Sequence, residues 1–141
     1  GIRVALVDVD LDSPSQADQL RLEIETDWVS AIRQGERLEN AAITSLEDNV
    51  TLLPLISEDR LPVSSMEIDR LIESLDGCFD LLMFDGTVMN SWSTGRIAAW
   101  VDSSLIVRDA RSTSKSEVAF AAEKLRSRGV KGIGVIDNFC S

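Results

Sequence analysis

Short apolar runs alternate along this chain with segments whose apolar residues recur at helical spacing. Residues 2–9 form a nearly continuous apolar run rich in Val and Leu and bounded by acidic turn residues. That is the pattern of a strand buried on both faces of a parallel sheet. Similar runs recur at 50–56, 80–84, 104–107 and 132–136. Each is separated from the next by enough chain for a crossover connection.

The intervening segments carry helix signals. Ser64 and Glu67 have the spacing of a capping box, followed by Ile68, Leu71, Ile72 and Leu75 on one face and Gly77 at the stop. Ser114 and Glu117 repeat the device before Val118, Ala121, Ala122 and Leu125, with basic residues near the end and Gly129 after it. Two further helices are expected at 26–34, on Trp28, Val29 and Ile32, and at 93–101, on Ile97, Trp100 and Val101. Trp28 and Trp100 are expected to pack in the core. Residues 57–65, with their charges and Pro62, read as a long surface loop. Strands alternating with helices define an α/β fold with a mainly parallel sheet, expected as one domain over 1–141, with ligands beyond the carboxyl ends of the strands.

Composition narrows the function classes. With 44% hydrophobic residues in 141, the chain can bury one core. Its 24 acidic against 14 basic residues give a net charge of −10, which opposes attraction to nucleic-acid phosphates and anionic lipids. No nucleic-acid partner and no direct membrane insertion are therefore expected, since the apolar runs are also far too short to span a bilayer. The residues at the start do not form a secretory signal, so the cytoplasm is the expected compartment. Cys78 and Cys140 lie far apart without metal-ligand spacing and read as buried or incidental thiols. The chain contains no His and no Tyr. A His-dependent triad, a His-ligated metal and a tyrosine phosphoacceptor in cis are thereby excluded.

The candidate chemistry lies at strand ends. Asp8, Asp10 and Asp12 alternate as the first strand leaves the sheet, and side chains two apart on an extended chain point the same way, toward a hard cation such as Mg²⁺. A solvated acidic turn is the alternative. Leu81-Leu82-Met83-Phe84-Asp85-Gly86-Thr87 is an apolar strand ended by an acid and a Gly-containing turn, the way a P-loop protein presents its Mg²⁺-holding carboxylate, with a structural turn again the alternative.

Together these segments resemble a known family. Gly1 to Leu11, with its Asp8-Val9-Asp10, is similar to the second acidic motif of the bacterial tyrosine kinases of exopolysaccharide and capsule biosynthesis, relatives of the ParA and MinD ATPases. Residues 28–35, 50–55, 79–85, 102–108, 112–129 and 132–138 resemble the family's following elements in order, and Pro14 favours the exopolysaccharide kinases over the partition ATPases. The resemblance implies a three-layer, P-loop NTPase-like (Rossmann-like) domain. It implies catalytic roles for Asp8 and Asp10, Mg²⁺ held by Asp10 and the Walker B residue Asp85, and ATP whose base meets Asn138. It also implies a membrane-anchored polysaccharide-export protein as partner.

The departures modify that expectation. The Gly-rich loop ending in Gly-Lys-Ser/Thr that precedes the family's acidic motif is missing from this sequence, so the domain is expected to be truncated at its N-terminus or degenerate. Asp12 stands where the family has a basic residue, and Gly86-Thr87-Val88 replaces a proline-containing turn. A middle strand would be missing as well, so that either a further strand or a homo-oligomeric contact covers the apolar edge. The expected function is an inactive kinase-like domain working through protein contacts, with ATP and Mg²⁺ binding weak or absent. A ParA/MinD-type ATPase fragment, or an active tyrosine kinase if a P-loop lies upstream, are the alternatives.

Overall fold

The structure, a computed structural model, describes residues 1–56, 62–87, 89 and 91–140. The chain divides into two compact units, residues 1–87 and 88–141.

The first unit is built on β1 (Val4–Asp8), which pairs in parallel with β3 (Val50–Leu53) on one side and β4 (Leu81–Asp85) on the other. A short β2 (Ile43–Ser45) pairs antiparallel with β3 and completes the order β2-β3-β1-β4. The central place of β1 explains its composition: Ala5 and Val7 are buried, as is Val9 just after it. Helix α1 (Gln16–Gln19) is a single turn, followed by α2 (Trp28–Gln34) and α3 (Ser65–Leu75). Asp27 caps α2 by accepting from Ser30 N and reaches Ile56 N with its other oxygen, tying the helix start to the segment after β3. Gly35 ends α2 in the left-handed conformation, at φ 71°, that glycine adopts without strain. The predicted capping box of Ser64 and Glu67 is formed, and Ile68, Leu71, Ile72 and Leu75 are buried as the spacing requires. Trp28 is fully buried, its Nε1–H donating to the Asp8 carbonyl oxygen at 2.8 Å.

The second unit pairs β5 (Ser103–Asp109) in parallel with β6 (Gly132–Asn138). Its helices are α4 (Trp92–Ile97) and α5 (Lys115–Ser127), the latter opened by the predicted Ser114–Glu117 capping box. Ala98, Leu125 and Val130 form its core, with Met89, Val101, Ile106 and Ile133 packed against them.

Several expectations need correction. The apolar pattern places residues 81–84 and 105–107 in one sheet, whereas hydrogen bonding puts β4 in the four-stranded sheet and β5 in a two-stranded one, because β5 takes β6 as its ladder partner. Trp100 is 52% exposed, since α4 stops at Ile97 and the ring no longer rides on a helical face. Cys78 and Cys140 are exposed free thiols, so of the two expected readings, buried or incidental, the incidental one holds. Residues 57–61 of the expected surface loop lie outside the described residues.

Candidate functional site

Asp8 is the last residue of β1 and Asp85 the last of β4, and they are register partners. Two carboxylates therefore leave adjacent parallel strands at the same edge of the sheet. Val9 N donates to the Asp85 carbonyl oxygen at 2.9 Å, which extends the ladder one step beyond the strands. Asp8 is fully buried, while Asp85 is exposed. Asp8 Oδ1 accepts from Asp10 N at 3.1 Å and Oδ2 from Gln16 N at 3.3 Å. Burial pushes its pKa above the ordinary carboxylate value. The two N–H donors act the other way, and the charges of Asp85 and Asp10 add to the rise.

Asp10 begins the loop after β1. Its Oδ1 accepts from Asp12 N at 3.2 Å and Ser13 N at 3.0 Å, so the carboxylate organises the turn that carries the chain toward α1. Asp12 is exposed and accepts from the Thr87 hydroxyl at 3.4 Å. Strand register and hydrogen bonding thus bring Asp8, Asp10, Asp12 and Asp85 to one edge. Among the described residues, their hydrogen-bond partners are backbone N–H groups, the Gln16 amide and the Thr87 hydroxyl; none is a Lys or Arg.

Gln16 is the residue that sequence reasoning missed. Its Nε2 donates to Asp85 Oδ2 at 2.5 Å while its backbone N–H serves Asp8. Its Oε1 is buried and has no hydrogen-bond partner among the described residues. The only sequence signal was a polar residue soon after the acidic turn, on a helix of four residues that has no period to read.

In the second unit, Asn138 ends β6 opposite Asp109, and its Oδ1 accepts from Phe139 N at 2.9 Å. Phe139 is exposed, with φ 55°, and the Arg111 guanidinium lies 3.8 Å over its ring. Arg111 is held by Asp109, whose pKa its hydrogen bonds lower. Arg108 is largely buried, donating to the Thr113 carbonyl oxygen and pairing with Asp137. Both cations are thus engaged with acids of their own unit.

Mg²⁺ and ATP are the groups that the resemblance implies. Among the described residues, no group of three or more His, Cys, Asp and Glu side chains is arranged to hold a metal ion. Mg²⁺, however, keeps several waters and is commonly bound by one or two carboxylates, not by an all-protein cage. Both oxygens of buried Asp8 already accept from backbone N–H groups, which leaves Asp10 and the exposed Asp85 as the carboxylates of this edge open to a hydrated cation. Phosphate charge brought to this edge would meet acids whose hydrogen-bond partners among the described residues are neutral. No helix among the described residues is long and apolar enough to cross a membrane.

Parallel strands alternating with helices give the chain an α/β fold with a mainly parallel sheet. The solved structures bear this out. The kinase domain of VpsO superposes with a TM-score of 0.83 at 22% identity, over 99% of this chain and 71% of that one. The kinase domain of the Escherichia coli tyrosine kinase ETK gives 0.74 at 17% identity, over 99% and 58%. MinD in the MinC:MinD cell division complex of Aquifex aeolicus gives 0.81 at 20% identity, over 100% and 58%. This chain has the fold shared by bacterial tyrosine kinase domains and MinD, and spans 58% of the latter two matched chains. No protein-family model and no curated protein sequence matches it.

Proposed function

We propose that this chain is a tyrosine-kinase-like domain of bacterial exopolysaccharide or capsule biosynthesis, acting in the cytoplasm through contact with a membrane-anchored export protein and not through phosphoryl transfer of its own. The observation that carries the reading is the acid edge. Asp8 and Asp85 end adjacent strands in register, and the same edge adds Asp10 and Asp12, with no basic hydrogen-bond partner among the described residues. A phosphoryl-transfer site must offset several negative charges with N–H groups, a lysine and metal. In this reading Asp10 and Asp85 hold Mg²⁺, Asp8 and Asp10 are what remains of the acids that would activate a hydroxyl, and Asn138 is the base contact. Nucleotide affinity is low because anions predominate.

The second reading, a MinD-type ATPase fragment, is supported by a TM-score of 0.81 to MinD, close to the 0.83 to the VpsO kinase domain. Pro14 and the surrounding acidic motif favour the kinase-like reading.

Deletion of the coding sequence in its bacterium, with polysaccharide yield as the readout, separates these. The proposal expects lower yield, restored equally by the wild-type gene and by Asp10→Ala. Unchanged yield on deletion contradicts the polysaccharide role, and failure of Asp10→Ala to restore it contradicts action by contact alone.

A further inference from the structure

The β2–β3 hairpin turns through Leu46, Glu47, Asp48 and Asn49. Its tip is fixed by the Ser45 hydroxyl, which donates to Asp48 Oδ2 at 2.7 Å and accepts from Asp48 N at 3.3 Å. Leu46 is 89% exposed there. A lone exposed leucine is ordinary on a protein surface. Turns, however, favour Gly, Asn, Asp and Ser, and this leucine is followed by two exposed carboxylates.

The second unit carries a matching surface. A cavity of about 140 Å³ is lined by Met89, Trp92, Ala98 and Leu125 and by the cations Lys124 and Arg128. A cavity of about 150 Å³ can hold a benzene ring, so this one has room for a leucine side chain. Arg128 Nη1 donates to the Gly95 carbonyl oxygen at 2.8 Å, and a Cβ on residue 95 would come within 2.7 Å of the guanidinium carbon. The glycine in α4 thus lets the cation lie close against the helix. That bond uses one of the five N–H donors of a guanidinium, and no acid pairs with Arg128 among the described residues. Lys124, one turn earlier on α5, has its Nζ 4.7 Å over the Phe120 ring. Charge divides the same way along the chain. Residues 1–87 have 19 acidic against 6 basic side chains, a net −13, whereas residues 88–141 have 5 against 8, a net +3.

We propose that the hairpin tip of one molecule docks in this cavity of a second copy, with Leu46 as the apolar anchor and Glu47 and Asp48 facing Lys124 and Arg128. An arginine fork matches a carboxylate, and opposite charge steers the two surfaces together. Tip and cavity are different surfaces of each molecule, so the contact is heterologous and either grows into chains or closes into a ring. A tip this small buries far less than the roughly 1,600 Å² of a standard interface, which makes the association weak. It depends neither on a cation at the acid edge nor on the polysaccharide role.

Sedimentation velocity of the 141-residue chain over a concentration series up to about 1 mM, at low and high salt, tests this. Wild type is expected to self-associate, less so at high salt. Leu46→Ser and Arg128→Glu are each expected to weaken that association about tenfold or more. An equimolar mixture of the two variants is expected to form dimers and nothing larger, because the intact cavity of the first takes the intact tip of the second. Lys124→Glu serves as a second cavity variant if circular dichroism shows Arg128→Glu unfolded. A wild type that stays monomeric throughout, association that salt does not weaken, wild-type association in Leu46→Ser or in a folded cavity variant, or a mixture that stays monomeric where wild type assembles, overturns the contact.

Discussion

Asp8 and Asp85 face one another in register at the carboxyl ends of β1 and β4, and only Asp8 is buried. Desolvation is the main cause of its raised pKa, opposed by the N–H groups of Asp10 and Gln16 and reinforced by the charge of Asp85. Asp85→Asn removes that charge while keeping an oxygen for Gln16. The Asp8 pKa is then expected to fall toward the ordinary value, as followed by carboxyl carbon NMR shifts. An Asp8 pKa unchanged or higher in Asp85→Asn contradicts the coupling.

The same raised pKa has a consequence for stability. The folded protein holds a proton on Asp8 at pH values where the unfolded chain, at about 3.8, has released it. Asp8 therefore weakens the fold as pH rises from that value through the folded pKa. Asp8→Asn removes this contribution, so denaturant unfolding from pH 4 to 7 should show a smaller loss with rising pH than wild type. An identical slope contradicts burial as the dominant influence.

Glu67 behaves in the opposite sense. Partial desolvation raises its pKa, but hydrogen bonds from Arg33 and Ser64 outweigh this and bring it down to about 2. Its side chain is 15% exposed and that of Arg33 29%, so the pair is only partly screened. The stabilisation is fully present above the unfolded value of 4.5 and is lost as pH falls toward 2. Glu67→Gln is expected to cost up to about 3 kcal/mol at pH 7 and much less near pH 2, by urea unfolding. A cost that does not change with pH contradicts the ionic origin.

The two tryptophans predict opposite outcomes. Trp28→Phe leaves the Asp8 carbonyl oxygen without the indole N–H and should cost about 1–3 kcal/mol. Trp100→Ala, at a half-exposed position, should stay within about 0.5 kcal/mol. Urea midpoints for the pair check this, and equal losses contradict the assignment of their environments.

Which features were legible in the sequence follows from the range of the forces involved. The capping boxes at Ser64 and Ser114 are local hydrogen-bond devices, and each formed where the spacing placed it. Strand ends were legible because an apolar run stops at an acid, which put Asp8 and Asp85 at one edge once β1 paired with β4. The short elements were not. β2 has three residues and α1 four, too few for any period, and their positions depend on the sheet they join. Trp100 was misplaced because apolar spacing continues past Ile97 although α4 does not. Arg108 is held in a largely buried place by Thr113 and Asp137, a tertiary effect with no local signal in the sequence.

Whether this acid edge takes a cation but not a nucleotide is decided by calorimetric titration of ATP with Mg²⁺ into the 141-residue chain. Asp8, Asp10, Asp12 and Asp85 have no basic partner among the described residues, and negative charge there repels phosphate unless a cation neutralises it. The predicted result is no saturation at micromolar ATP, with measurable improvement in Asp12→Arg, which puts positive charge beside the phosphates. Micromolar binding by the unmodified chain, abolished in Asp10→Ala, would contradict the account and restore a working nucleotide site.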